Sequence, residues 1–201
     1  PNNKSLYSIS LDGQNRKKLS PIPGTDDAEF NTTFTYYIHE YTNANRPPVT
    51  VLRSADGAEV RTLEDNNALL RKLKDYELAA KEFFKFKTSE GIELNGWMMK
   101  PNVTPALKGE SKDKSSPSGT GGLPVLMFVY GGPGSNTVND TWDRDYMWYQ
   151  MLCSKGYIIV SVDNRGTGGR GKKFRDCTYK QLGKLETEDQ IEAAKYLGTL
   201  P

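Results

Sequence analysis

The chain has 201 residues, 36% of them hydrophobic and 26% charged, a balance that belongs to a folded globular protein rather than a disordered one. Its 27 Lys and Arg against 25 Asp and Glu leave a net charge of +2, and no basic block runs past three residues, so neither nucleic acid nor a charge-attracted membrane is an expected partner. No apolar run approaches the ~18 residues needed to span a bilayer. Two cysteines, Cys153 and Cys177, with one histidine in the whole chain give no zinc-site spacing; two unpaired thiols are expected, a disulfide between them being the other reading, and no metal and no cofactor.

The first third of the chain carries antiparallel β signals. Leu6 to Leu11 alternates apolar and polar residues and ends on an Asp12-Gly13 turn. Thr33 to Tyr41 is a second strand, rich in aromatic and β-branched residues, and Val49 to Leu52 is a third, introduced by Pro47-Pro48. Asp56-Gly57 then turns the chain into Glu59 to Leu63. Four short strands of this kind amount to one propeller blade or one sheet of a sandwich, which cannot cover its own faces. Together with a beginning at Pro1 and no initiator Met, this leads to the expectation of an excised segment of a longer protein.

Asn66 to Asp75, with leucines at 69, 70 and 73, predicts a short amphipathic helix connecting two architectures. Glu82 to Thr88 and Ile92 to Lys100 form a hairpin across Ser89-Glu90-Gly91. Asn102 to Gly122 is Lys, Ser, Gly and Pro with few large apolar residues, and reads as a solvated loop. Val125 to Tyr130 is an uncharged apolar run that predicts a strand buried on both faces, stopped by Gly131-Gly132-Pro133-Gly134. Trp142 to Lys155 predicts a helix ended by Gly156, Tyr157 to Val162 a buried strand, and Lys184 to Leu197 a last helix. Hairpin, strand, helix, strand, helix is the order of an α/β domain with a parallel sheet, whose chemistry sits in loops at the strands' carboxyl ends.

Several groups are candidates for chemistry. Gly166, Gly168 and Gly171 have the GxGxxG spacing of a dinucleotide loop, with Glu186 15 residues on, but run into Lys172-Lys173-Phe174-Arg175 rather than an apolar helix. His39, next to Glu40 in the β-rich part, reads as a surface or interface residue rather than a base. A nucleophile elbow needs Gly-x-Ser-x-Gly, and Ser118 and Ser135 both lack the glycine two residues before them. Asp163 and Arg165 read either as a substrate contact or as an ion pair bracing their loop. Tyr130, at a strand's carboxyl end, is either a core tyrosine or a hydroxyl able to donate to a developing oxyanion. Asn31, Asn102 and Asn139 head formal glycosylation sequons, motifs too short to decide anything.

Leu11-Asp12-Gly13, Tyr41-Thr42-Asn43 with Pro47-Pro48, Glu93 to Pro101 (ELNGWMMKP), Val129 to Pro133 (VYGGP), Asp163 to Gly171 (DNRGTGGRG) and Glu188-Asp189-Gln190 stand in one order that resembles the prolyl oligopeptidase family of serine peptidases, in its dipeptidyl peptidase IV branch. The resemblance covers nearly the whole chain. It implies strands from the end of a β-propeller at 1–66, a connecting helix and linker at 67–81, and at 82–201 the first half of an α/β-hydrolase sheet that stops before the family's nucleophile. It further implies a parent enzyme that releases N-terminal dipeptides ending in proline or alanine through an acyl-enzyme. That parent would be homodimeric, act on peptides and reside in the periplasm, outside the cell or at its surface. The triad would lie outside this chain, and Tyr130 alone would match a functional residue, the family's oxyanion tyrosine. Asn164 stands where relatives often have Gly or Asp, and the insertion at 108–122 is longer than the family's pattern. Two other readings remain: a non-catalytic binding or scaffold module, and a different α/β-hydrolase peptidase or esterase.

Overall fold

The computed structural model describes residues 3–20, 22–102 and 123–200, which fall into two compact units. One unit comprises Asn2–Glu77 with Asn139–Arg144, the other Leu78–Val138 with Asp145–Pro201. Ser118, the run at 108–122 and most of the loop read at Asn102 to Gly122 lie outside the described residues.

The first unit is built on an antiparallel meander, β3 (Thr25–Phe30), β4 (Tyr36–Asn43), β5 (Arg46–Ser54) and β6 (Glu59–Glu64), preceded by a two-stranded ribbon of β1 (Tyr7–Ser8) and β2 (Lys17–Lys18). The sheet's first strand is therefore not the alternating Leu6–Leu11 stretch, whose Ile9 and Leu11 are exposed. It is Thr25–Phe30, where two aspartates and a glutamate mask the strand signal. On β4, Tyr37, His39 and Tyr41 alternate onto one buried face, and Tyr37 stacks on Phe30 at 4.7 Å between ring centroids. Asn31 closes the β3–β4 hairpin by accepting from the amides of Thr35 and Tyr36 and donating to the hydroxyls of Thr33 and Thr35. Asp56 caps the β5–β6 turn, and Gly57 takes φ +96° there. Helix α1 (Asn67–Leu73) follows, one turn shorter than its leucine spacing suggests.

His39 is 2% exposed, contrary to the surface position read from sequence. The face it occupies explains this, because its buried neighbours supply both partners a buried imidazole needs. Arg53 Nε donates to His39 Nδ1 at 3.0 Å, and His39 Nε2 lies 2.7 Å from Asp26 Oδ1. A guanidinium can only donate, so Nδ1 is the acceptor and the ring proton sits on Nε2, given to Asp26. The segment Asn139–Arg144 is bonded into the same unit: Asp140 accepts from the Ala44 amide and the Thr25 hydroxyl, and the Trp142 amide donates to Thr42. Those bonds hold Trp142 out of the helix predicted at 142–155, which begins at Tyr146.

In the second unit β7 (Lys81–Lys87), β8 (Glu93–Met99), β9 (Val125–Met127) and β10 (Ile158–Asp163) form a sheet in the order β7-β8-β10-β9. β10 runs parallel to β9 but antiparallel to β8, so the sheet is mixed rather than parallel throughout. Helices α2 (Tyr146–Ser154), α3 (Lys172–Asp176) and α4 (Lys184–Leu197) accompany it. The two-residue strand period sorts the core. Leu94, Met98, Val160 and Val162 pack with Phe86 and Ala193 of α4, while Trp97 reaches Tyr149 of α2 at 5.3 Å between centroids. Phe84 lies across Gly96, where a Cβ would come within 2.3 Å of its ring, and so stacks on Tyr196. Gln150 exchanges two hydrogen bonds with the Ala79 backbone, at 2.8 and 2.7 Å, as a neighbouring strand would. Gly156, at φ +88°, ends α2 as its position predicts.

The apolar run from Val125 is the second departure. Only Val125–Met127 is strand, at the edge of the sheet, and Phe128, Val129 and Tyr130 are 38, 47 and 64% exposed. Leu126 and Met127 are half-buried and none of the run is fully buried among the described residues, against the fully buried strand read from sequence.

Replacing His39 by Ala would leave Asp26 and Arg53 without their shared partner in the core, and is expected to destabilise the protein by about 3 kcal/mol. The measurement is the urea midpoint; a loss under ~1 kcal/mol would mean that the two charges find other partners or water.

Candidate active-site loops

Two loops meet at the carboxyl ends of β9 and β10. The second begins with Asp163, whose carboxylate is 3% exposed and draws the first loop back onto the sheet. Thr137 donates to Asp163 Oδ1 through its amide at 2.7 Å and its hydroxyl at 3.0 Å, and the Val138 amide donates to Oδ2 at 3.1 Å. Burial raises the Asp163 pKa above the usual carboxylate range, and these donors and Arg170 oppose the shift without cancelling it. Trp97 Nε1 then donates to the Thr137 carbonyl at 3.1 Å. The tips of the loops are laced by backbone bonds, Gly134 N to Gly166 O and Gly168 N to Ser135 O, both 3.0 Å.

Arg165 does not pair with Asp163. Its guanidinium binds Asp189 of α4, with Nη2 2.8 Å from Oδ1, reaches Glu90 at 2.8 Å, and its backbone amide donates to Asp189 Oδ2 at 2.6 Å. Hydrogen bonding to Asp189 raises the Arg165 pKa, so the guanidinium stays charged. The bracing role considered for Arg165 is therefore filled, with a partner 24 residues on in sequence. The glycines of 166–171 are also occupied by packing. Gly166 N donates to Phe174 O, Gly168 N to Ser135 O, and a Cβ on Gly168 would meet Gly134 O at 2.5 Å. A phosphate loop aims such amides at its ligand and opens a substantial helix; here the following helix has five residues.

Tyr130 stands apart from this packing. Its ring is 64% exposed and lies over Gly132, where a Cβ would come 2.8 Å from Tyr130 Cε1 and 3.3 Å from its hydroxyl oxygen. Gly131 adopts φ +69°, so the corner needs a glycine for its backbone as well as for space. Beside it, a cleft of about 980 Å³ is lined by Pro133, Gly134, Arg175, Asp176, Thr178 and Tyr179. Ser135 contributes its carbonyl to the loop contact described above and has no elbow around it. Both cysteines are free thiols, and burial pushes Cys153 up to about 11, which leaves it protonated and unreactive at neutral pH. Among the described residues no cluster of His, Cys, Asp and Glu could hold a metal ion, and no helix is long and apolar enough to cross a membrane.

The order of these motifs finds matches in known proteins. The prolyl oligopeptidase family profile matches residues 144–200. Probable dipeptidyl peptidase 4 of Trichophyton verrucosum is 35% identical over 96% of this chain, which covers 25% of that relative. A crystal structure of Porphyromonas gingivalis dipeptidyl peptidase 4 superposes with a TM-score of 0.84 at 42% identity, over 98% of this chain and 26% of that one. The stretch 144–200 thus matches the prolyl oligopeptidase family, and nearly the whole chain is similar to dipeptidyl peptidase 4 proteins. A putative dipeptidyl aminopeptidase IV from Bacteroides ovatus, 27% identical, gives a TM-score of 0.73 over 97% of this chain and 26% of that one. The chain thus spans about a quarter of the length of the relatives it matches. An antiparallel sheet followed by a mixed sheet with helices is consistent with part of the dipeptidyl peptidase 4 structure on which the chain superposes.

Sequence reasoning singled out Tyr130 but not the groups that hold its loop, Thr137, Asn164 and Gln190. Thr137 and Gln190 carry no motif, and the one available signal was Asn164, an amide following a buried aspartate at a strand end. Gly132→Ala is expected to displace the Tyr130 ring by steric contact, visible as a changed rotamer in a crystal structure of the variant. An unmoved ring would show that the contact with Gly132 does not fix it.

Proposed function

We propose that this chain is a section of a serine dipeptidyl peptidase and that the Tyr130 hydroxyl is one donor of its oxyanion hole. The observation that carries the reading is the placement of Tyr130, exposed at the carboxyl end of β9 with its ring laid on Gly132. An amide carbonyl under attack develops negative charge on oxygen, and a fixed hydroxyl 2.7–3.1 Å away stabilises it selectively in the transition state. A tyrosine suits this because its rigid ring leaves one polar atom to aim. The relatives' name, dipeptidyl peptidase 4, supports release of dipeptides, and a free amino terminus with proline or alanine in second place belongs to the proposal on the resemblance alone.

In this reading 1–66 supplies propeller strands, 67–81 the connection, and 82–201 the opening half of the hydrolase sheet. Nucleophile, acid and base come from other parts of the parent protein. Among Ser118, Ser135 and His39, none is set up for acyl transfer: Ser118 and Ser135 lack the elbow, and His39 is committed to Asp26 and Arg53. A homodimeric parent in the periplasm, outside the cell or at its surface belongs to the proposal on the resemblance alone; sedimentation of the purified parent and cell fractionation check those two parts.

In the full-length protein, Tyr130→Phe is expected to lower kcat on an Xaa-Pro chromogenic amide by about 10² or more. An unchanged kcat would return Tyr130 to a packing role. The 201-residue chain alone is expected to give no turnover on the same substrate, and clear turnover would overturn the assignment of the nucleophile to another part of the protein.

A further inference from the structure

Asn164 is fully buried, touches none of the groups assigned to chemistry above, and has both ends of its amide engaged. Its Nδ2 donates to Gly131 O at 3.2 Å and to Arg165 O at 2.7 Å. Its Oδ1 accepts from Gln190 Nε2 at 3.0 Å, and the same Gln190 nitrogen donates to Val162 O at 2.9 Å. The orientation of the amide follows from these partners: turned over, it would set an oxygen against two carbonyls and an NH2 against an NH2. Gln190 is likewise fixed, and its Oε1 is buried without a hydrogen-bond partner among the described residues. A buried acceptor left unpaired is costly, so the relay from α4 to the Gly131 carbonyl is held at the expense of another bond.

The acceptor at the end of that relay matters. Gly131 O lies in the same peptide plane as the nitrogen and Cα of Gly132, and Gly132 is the surface on which the Tyr130 ring rests. Glycine at 131, with φ +69°, gives the corner freedom that no side chain of its own restricts. The Asn164 amide removes that freedom from outside, and Asn164 Oδ1 would lie only 2.9 Å from a Cβ at position 131.

We propose that Asn164, itself oriented by Gln190, is a positioning residue for the Tyr130 hydroxyl: it fixes the Gly131–Gly132 peptide plane and thereby the direction in which the ring presents its oxygen. This rests on the reading of Tyr130 as an oxyanion donor. The consequence is kinetic. Misplacing a transition-state donor by a fraction of an ångström lowers kcat and leaves ground-state binding alone.

The test is a double-mutant cycle in the full-length protein on an Xaa-Pro chromogenic amide. Asn164→Asp keeps the shape and replaces the donor by an oxygen facing two carbonyls; Asn164→Gly removes the amide and decides the matter if the aspartate variant does not fold, as judged by its melting temperature. Each is expected to lower kcat about tenfold or more with KM within about twofold. In a Tyr130→Phe background the same changes are expected to lower kcat by less than about threefold, because the group they position is gone. If Tyr130→Phe is harmful but the Asn164 variants leave kcat unchanged, or lower it by the full factor in both backgrounds, the positioning role is overturned and the oxyanion reading stands. If Tyr130→Phe itself leaves kcat unchanged, both fall.

Discussion

The second unit turns on one buried carboxylate. Taking Asp163 out of water at the end of β10 disfavours its charged form, and the raised pKa records that burial outweighs the bonds it receives. A buried carboxylate must find donors, and those within reach are the Thr137 amide and hydroxyl and the Val138 amide. Meeting that need brings the chain after β9 back across the sheet within ten residues. A return so short requires a sharp corner, which Gly131 and Gly134 provide at φ +69° and +73°. The corner leaves Tyr130 outside the packed interior. The exposure of the tyrosine and the burial of the aspartate are thus two results of one constraint.

The two units are consolidated by different means. In the meander, whose last strand is exposed along its length, the buried face is partly polar, and Asp26, His39 and Arg53 hold three neighbouring strands through directional bonds that fit only one register. In the second unit apolar residues fill most of the core, and buried polar groups such as Asp163, Gln150 and Asp189 tie loops and helices to it. Arg165 and Asp189 show why this works: α4 is fixed to the sheet by an ion pair at its amino-terminal half and by Ala193 and Tyr196 packing further along. Either contact alone would leave the helix free to pivot. Together they set the position of Gln190, which lies between them in sequence.

What could be read from the amino-acid sequence follows from how local each signal is. The strand at Ile92 to Lys100, the strand at Tyr157 to Val162, the glycine stop at 156 and the helix at 184–197 rest on local signals, and the structure keeps all four, although the helix turns Asp189 and Ala193 inward and leaves Ile191 and Ala194, read as part of its inner face, exposed. Thr25–Phe30 was illegible because its strand character depends on Asp26 accepting from His39 on the next strand. The start of α2 was misplaced because Asp140 and Thr42 hold Trp142 elsewhere through contacts about 100 residues apart in sequence. Tyr130 was legible as a residue at a strand's end. The amides that hold its loop were not, since Asn164 and Gln190 meet only once the helix has packed on the sheet.

The uninterrupted apolar run from Val125 to Tyr130 looks like one strand but does two jobs. Its first three residues pair with β10, and Phe128 donates one more bond to Val160 O before the chain leaves the ladder. From there, hydrophobicity no longer marks burial: Phe128, Val129 and Tyr130 form an exposed apolar rim at the carboxyl end of a sheet edge. Among the described residues β9 pairs only with β10, and that ladder ends after three residues. The same brevity is what frees Tyr130 from the pleat. A tyrosine in regular strand geometry would alternate into one face of the sheet and satisfy its hydroxyl there. Beyond the last ladder bond its direction is set by the Gly131–Gly132 corner, and that corner is set by an amide just past the end of the neighbouring strand. The chemistry available to Tyr130 is therefore decided by where the strand stops, not by the apolar pattern that announces it.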